Sequence, residues 1–406
     1  MTVIARHTGR WTLEDRFTSP WHYLPVEVPP GCHGLRVELG YDRSAATLDL
    51  GCFGPAGFRG WSGGSRESFV ISPGRATPGY LPGELEPGLW QVVIGLYRVP
   101  AGGVDYRVTA QAASRRGELQ PDPQPAPPAP PPTRPARREL PAAAGRRWLA
   151  GDLHTHTVHS DGSFTVAELA RLAAGQGLDF LAITDHNTVS HHAELAGAAA
   201  RYGITLLPGQ EVTTDTGHAN VFGDVGWVDF RRSPDDWLAQ VQRSGGLMSV
   251  NHPIAGHVSW MHTMARRPRL IEVWHWSWLD PQWTTPLSWW RLWDPAAIPV
   301  GGSDWHSPSP NIQVGTPATW VECEGSGAGE VLSGLAAGRV AVSATRGGPV
   351  LLRRDGDLVA VDADGTILTG PDGPLARVSG SLAVFAGRPG AHRLTDASGG
   401  TLALTP

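Results

Sequence analysis

The chain has 406 residues, enough for two to three domains and for a full-sized core without covalent staples. Its three cysteines, Cys32, Cys52 and Cys323, show no CxxC spacing, which argues against a disulfide framework or a thiolate zinc site and favours a reducing compartment. A net charge of −5 gives no sequence-independent attraction for a phosphate backbone, so extended duplex nucleic acid is excluded as an expected partner.

The opening MTVIARHTGRW turns polar within a few residues, and no apolar run approaches the roughly 20 residues that span a bilayer. A soluble cytoplasmic protein without membrane contact is therefore expected. Residues 1–113 carry period-two alternation in LRVEL, ATLDLGCF, SFVIS, WQVVIGLYRV and DYRVTA, broken by Gly/Pro turns, which predicts an N-terminal antiparallel β-sandwich. Residues 114–147 include QPDPQPAPPAPPPTRPARR, which cannot build a core or a helix and reads as a semi-rigid, proline-rich linker.

Residues 148–345 alternate apolar strands with helices, the pattern of parallel β/α units. The first helix is well specified: Thr165 and Glu168 have capping-box spacing, and Val166, Leu169, Leu172 and Ala173 share one face. Strands follow in DFLAITDH, GITLLPG, GLMSVNH, LIEVW and AIPVGGSD. Residues 346–406 read as a small β-rich appendage.

Metal-binding side chains recur in this region. His154 with His156, Asp185 with His186, Glu211, His252, and Asp304 with His306 each follow an apolar strand. In a β/α barrel the C-terminal strand ends share one face, so ligands distant in sequence would meet there. His-x-His puts both imidazoles on one side of an extended chain, and Asp304 and His306 repeat that spacing. Carboxylates such as Glu211 and Asp304 can bridge ions and offset their charge. Asp185 and His306 are the candidate catalytic residues, Asp185 for orienting a ligand or handling a proton, while Asp152 is placed behind the ligands. His159, His191 and His192 are expected to be solvated, and His257, His262 and His275 are candidates to line the pocket.

The segments DLHTHTVHSDG, AITDHNT, GQEVTT, NHP and GGSDWH resemble the polymerase-and-histidinol-phosphatase (PHP) metallohydrolases over about residues 147–345. The SDG turn and AAGRVAVSA are similar to the carbaryl-hydrolase-like (CehA/McbA-type) branch. The resemblance implies a distorted seven-stranded β/α barrel holding two or three divalent ions, zinc, manganese or iron. It implies one ion on His154, His156, Glu211 and Asp304, a second on Glu211, His218 and His252, and a third on Asp161, His186 and His306.

Divalent ions lower the pKa of bound water to roughly 7, so a metal-bound hydroxide is the expected nucleophile. The resemblance implies a phosphoesterase acting on a small phosphomonoester or nucleotide-like molecule. A carbamate or carboxyl esterase of the carbaryl-hydrolase type is the alternative, and a non-catalytic binding module built on the sandwich is a third reading. The tryptophans between Trp274 and Trp305 are read either as an aromatic wall for a planar substrate or as packing against the sandwich. Arg266, Arg267 and Arg269 are candidates for holding phosphate or for a solvated loop. The oligomeric state is not specified by the sequence.

Overall fold

A computed structural model describes residues 1–121, 128–278, 280, 282 and 284–406. Part of the expected linker, residues 122–127, and Trp283 of the tryptophan-rich segment lie outside the described residues. The chain divides into two compact units.

The first unit comprises Met1–Pro128 with the short segments Val158–Asp161 and Asp185–His191. Its strands are β1 (Thr2–Trp11), β2 (Trp21–Val28), β3 (Gly34–Tyr41), β4 (Thr47–Gly54), β5 (Gly57–Gly63), β6 (Ser68–Ile71), β7 (Gly88–Arg98) and β8 (Val104–Ala113). They form two antiparallel sheets, ordered β1-β8-β3-β6 and β2-β7-β4-β5. Alternation drives the packing. In β2, Leu24, Val26 and Val28 are buried while Tyr23, Pro25 and Glu27 face water, and Pro25 is tolerated because β2 is an edge strand. Both sheets contribute to one apolar core that includes Val26, Leu35, Val37, Leu50, Trp90, Ile94 and Val108.

The second unit comprises Ala129–Thr157, Gly162–Thr184 and His192–Pro406. Its first half runs β9 (Arg147–Asp152), α1 (Val166–Gly175), β10 (Phe180–Ile183), α2 (His192–Tyr202), β11 (Thr205–Thr214), β12 (Gly217–Phe222), α3 (Pro234–Arg243) and β13 (Leu247–Val250). It continues through β14 (Leu270–His275), α4 (Thr285–Trp293), β15 (Ile298–Gly302), β16 (Ala318–Cys323), α5 (Ala328–Ala336) and β17 (Val340–Ser343). Helix α1 carries the expected capping box, Thr165 with Glu168, and buries Val166, Leu169 and Ala173, whereas Leu172 is half-buried.

Strands β9, β10 and β11 are parallel, as are β13, β14 and β15. The all-parallel expectation fails between them. β11 and β12 form an antiparallel hairpin, and β12 pairs antiparallel with β13. The physical reason is local: GQEVTT and GHANVF are separated by a two-residue turn closed by Gly217 at φ 133°, leaving no room for a crossover helix. β12 therefore delivers His218 to the same sheet as Glu211.

Among the described residues the seven strands β9 to β15 are not closed by a continuous ladder. The sheet runs β15-β14-β13-β12-β11-β10-β9 and then on to β16 and β17. Just beyond the ends of β9 and β15, an isolated parallel bridge joins Thr155 to Trp305, and the N–H of His156 donates to the carbonyl of Trp305 at 2.9 Å. That bridge places the segment after β9 beside the segment after β15.

The described residues 129–146 have no regular structure, as their prolines dictate, yet they are fastened to the second unit. Arg134 donates to the carbonyls of Gly203 and Leu178, Arg137 pairs with Asp179 at 3.0 Å, Arg138 with Asp362 at 2.6 Å, and Leu140 is buried. The C-terminal strands are β18 (Val350–Arg354), β19 (Asp357–Val361), β20 (Ile367–Gly370), β21 (Gly373–Arg377), β22 (Leu382–Phe385), β23 (His392–Thr395) and β24 (Thr401–Thr405). β24 pairs with β17 and carries the main sheet on through β23, β20 and β21. Among the described residues no helix is long and apolar enough to cross a membrane.

Candidate metal centre

Period-two alternation sets up the site. On β9, Trp148 and Ala150 pack toward α1 and α2 while Leu149 faces a second core with Phe180, Leu207 and Val300. Past Asp152 the chain bends at Leu153 and then bridges to Trp305 through Thr155, with His154 and His156 on either side of that bridge. Both imidazoles are fully buried. Asp152 fixes the exit of the strand: its carboxylate accepts the backbone N–H of His154 at 3.1 Å, of Ser303 at 3.0 Å and of Gly315 at 2.7 Å. Burial still pushes its pKa up to about 6 against those bonds.

Four residues from three separate stretches converge. His154, His156, Glu211 and Asp304 offer one ligand atom each, all within 4.8 Å of one another. His154 Nε2 lies 3.2 Å from Glu211 Oε1 and 3.1 Å from Asp304 Oδ1, and His156 Nε2 lies 2.9 Å from Asp304 Oδ1. Glu211 sits inside the long strand β11 rather than at its end, and it faces β12 and the residues after β13. His218 Nδ1 is 3.2 Å and His252 Nε2 is 3.4 Å from Glu211 Oε1, to which Asn251 Nδ2 donates at 2.8 Å. His306 stacks on His156 with ring centroids 4.2 Å apart, and its Nδ1 donates to the carbonyl of Asp304 at 2.8 Å.

Two further residues complete this cluster: Glu272, unassigned from sequence, and His275, expected to line the pocket. Glu272, buried in β14, holds His154 Nδ1 at 2.9 Å through Oε1 and accepts the backbone N–H of His252 at 2.8 Å through Oε2. Gly302 makes room for it, since a Cβ there would lie 2.4 Å from Glu272 Oε1 and from His154 Cβ. His275, at the end of β14, places Nε2 3.1 Å from Asp304 Oδ2 and Nδ1 2.7 Å from Ser277 Oγ. The signal for Glu272 was a lone carboxylate inside the apolar strand LIEVW, a position where an acid is rarely buried without a partner.

The donor set suits a divalent cation. A carboxylate accepts only, so His154 Nδ1 carries a proton toward Glu272, and Nε2 is the nitrogen that would offer its lone pair to a cation placed beside the Glu211 and Asp304 oxygens. Lone pairs and carboxylates crowded in a buried space repel unless a cation lies among them. In the ion-free protein the same crowding acts on protons. Burial opposes charge on His154, yet Asp304, Glu211 and Glu272 hold its pKa well above the ordinary imidazole value. Burial likewise opposes charge on Asp304, but His154, His156 and His275 hold its carboxyl well below the usual range. His252 and Asp304 also adopt left-handed backbone, φ 24° and 50°, a strain tolerated where the surroundings over-determine a functional position.

Asp161, Asp185 and His186 belong to the first unit. There Asp161 Oδ1 lies 3.6 Å from His186 Nε2, with the Asp161 side chain 44% exposed. Asp185 is fully buried, accepting from Ser160 Oγ at 2.6 Å through Oδ1, with Oδ2 3.1 Å from His191 Nδ1. His159 and His191, expected to be solvated, are instead buried, His159 against Ser190 Oγ at 2.7 Å. Ser160, Asp185, Ser190 and the two histidines form a local polar network that sequence spacing does not announce. Among the arginines, Arg267 lies over the Trp293 ring at 4.7 Å and Arg266 reaches Gln242, both on exposed chain.

Residues 152–224 match the PHP domain family. A 3',5'-nucleoside bisphosphate phosphatase of Chromobacterium violaceum is 44% identical over 70 residues, 17% of this chain and 25% of that protein. A 5'-3' exoribonuclease of Haemophilus influenzae is 41% identical over 64 residues, 16% of this chain and 23% of that protein. The chain thus spans about a quarter of the length of these curated relatives. A two-domain protein containing a predicted PHP-like metal-dependent phosphoesterase from Bacteroides vulgatus aligns at TM-score 0.44 and 16% identity, over 67% of this chain and 99% of that one. The PHP match covers the stretch bearing His154, His156, Glu211 and His218, while Asp304 and His306 lie beyond it.

Proposed function

We propose that this chain is a metal-dependent hydrolase of small phosphoesters. The observation that carries the reading is the convergence of buried His154, His156, Glu211 and Asp304, with His154 oriented by Glu272. In this reading His154, His156, Glu211 and Asp304 hold one ion, and Glu211 with His218 and His252 a second. Strands β9 to β15 act as a distorted barrel whose seam is the Thr155–Trp305 bridge.

Divalent ions at such a site supply Lewis acidity and a water acidic enough to ionise near neutral pH. The protein's own contributions are definable. Glu272 fixes the His154 tautomer, and Asp152 ties the exit of β9 to Ser303 and Gly315. His275 and Trp276 engage Asp304 Oδ2, which leaves Oδ1 facing His154 and His156. Names carried by the matched relatives, a nucleotide phosphatase and an exoribonuclease, support phosphorus as the electrophile.

The test is elemental analysis of purified protein beside a panel of p-nitrophenyl phosphate, a bis-phosphodiester, nucleotides and 1-naphthyl carbamate. Stoichiometric metal with turnover of phosphates is expected. Turnover of the carbamate alone would replace phosphorus by a carbonyl electrophile, and absence of bound metal would sink the reading.

A further inference from the structure

One feature of the site bears on what it hydrolyses, and the inference rests on the phosphoester reading above. The tryptophans after β14 divide sharply by burial. Trp274, Trp278 and Trp290 are 6%, 8% and 3% exposed and pack with Ile271, Val273, Val342 and Leu404 in a core of the second unit. Trp289 and Trp293 are half-buried and stack on each other with centroids 5.0 Å apart. Most of the described rings of this segment thus pack within the second unit. Trp276 differs. It is 37% exposed, and its indole Nε1 points to Asp304 Oδ2 at 3.4 Å while its ring lies 5.5 Å from that of His275. One edge of the ring is thus tied to a residue of the candidate metal centre while part of the side chain is open to solvent.

A second apolar side chain is presented in the same way. β13 and β14 are parallel neighbours, and Ile254, shortly after β13 and two residues from His252, is also 37% exposed. The two strand ends that bring His252 and His275 to the centre therefore also carry exposed apolar surface. Large apolar groups left in water beside a polar cluster mark a place where a ligand completes the burial.

We propose that Trp276 is a specificity-determining residue that stacks on a flat ring in the alcohol part of the substrate. The preferred substrates are then phosphomonoesters bearing an aryl or heteroaryl group, in preference to polyol phosphates. Ring stacking of this kind is worth about tenfold in affinity.

The experiment compares phenyl phosphate with glycerol 2-phosphate on full-length, metal-loaded wild type, Trp276→Ala and Trp276→Phe. In Trp276→Ala the wild-type preference for phenyl phosphate in kcat/KM narrows about tenfold, chiefly through a raised KM for phenyl phosphate, while Trp276→Phe keeps most of it. Loss of the indole N–H to Asp304 acts on both substrates alike and cancels in the ratio. An unchanged preference in Trp276→Ala overturns the stacking. If the wild type hydrolyses neither phosphate, the phosphoester reading falls separately, and calorimetric titration still decides the stacking. Phenyl phosphate should then bind about tenfold tighter than inorganic phosphate to wild type and no tighter to Trp276→Ala, whereas equal affinities in wild type overturn it.

Discussion

Residues 1–121, which carry strands β1 to β8, and the second unit bury polar side chains to different ends. Across residues 1–121 the buried polar side chains are Ser62 and Thr77, and the core is otherwise aliphatic and aromatic. The second unit buries Asp152, His154, His156, Glu211, His218, His252, Glu272 and His275. A sandwich stabilised by apolar area needs no ionisable groups inside, and burying them costs free energy unless each finds a compensating charge. The contrast shows that the cluster is not a general habit of this chain, and it picks out buried groups that could hold a metal ion.

The largest expected effect follows from removing the ion or its central ligand. Chelation should lower hydrogen-exchange protection around residues 150–156, 209–221 and 247–252 while strands β1 to β8 keep theirs, because an ion bound at a thousand times its Kd stabilises its site by about 4 kcal/mol. Equal loss in both regions would erase the contrast. Glu211→Ala removes the carboxylate facing His154, His156, His218 and His252 at once, so turnover and stoichiometric metal should disappear together. Retained metal with lost turnover would instead make Glu211 a purely chemical participant.

Next comes Glu272→Gln, which keeps the shape but no longer demands a proton on His154 Nδ1. Outer partners of metal-bound histidine are worth about 10- to 100-fold in metal affinity, and that is the loss expected by competitive chelator titration. An affinity within twofold of wild type would show that His154 is oriented by packing alone.

How much of this could be read from the sequence depends on whether a signal was local. The capping box of α1, the alternation of β3, β4, β7 and β8, and the His-x-His after β9 are short-range patterns, and they are visible as soon as the residues are written out. The β11–β12 hairpin was hidden because a ten-residue strand crossing Glu211 looks like a shorter strand followed by a loop. Glu272 was overlooked because a single acid in LIEVW acquires meaning only when His154, 118 positions away, is found beside it. His191 was misread for the same reason, its partner Asp185 lying across a turn whose course is fixed by tertiary bonds. Trp276 could be told from Trp278 only by burial, which two neighbouring turns of chain do not encode.

Asp185 offers a sharper test within the first unit. Expected from sequence to move a proton or orient a ligand, it has both oxygens engaged inside the fold, with Ser160 and His191. Asp185→Asn should then cost stability, about 1–3 kcal/mol for a buried partner left mismatched, read as a lower melting temperature. A role in proton transfer predicts instead a displaced limb in the pH–rate profile at unchanged melting temperature.

The smallest effect is expected at Asp161, and it sets the lower bound of the comparison. Its side chain is 44% exposed and 3.6 Å from His186 Nε2, beyond a direct hydrogen bond, whereas the ligand atoms around Glu211 are buried and crowded. Surface pairs of this kind contribute about 0–1 kcal/mol, so Asp161→Ala should leave the melting temperature nearly unchanged. If Asp161 nonetheless holds an ion, elemental analysis will show a fractional loss of metal from Asp161→Ala with the remainder intact, a result that Glu211→Ala cannot give because that variant empties the centre. Full metal content and wild-type kcat in Asp161→Ala would assign the Ser160–Gly162 turn to local geometry alone, and would confine the chemistry to the buried cluster.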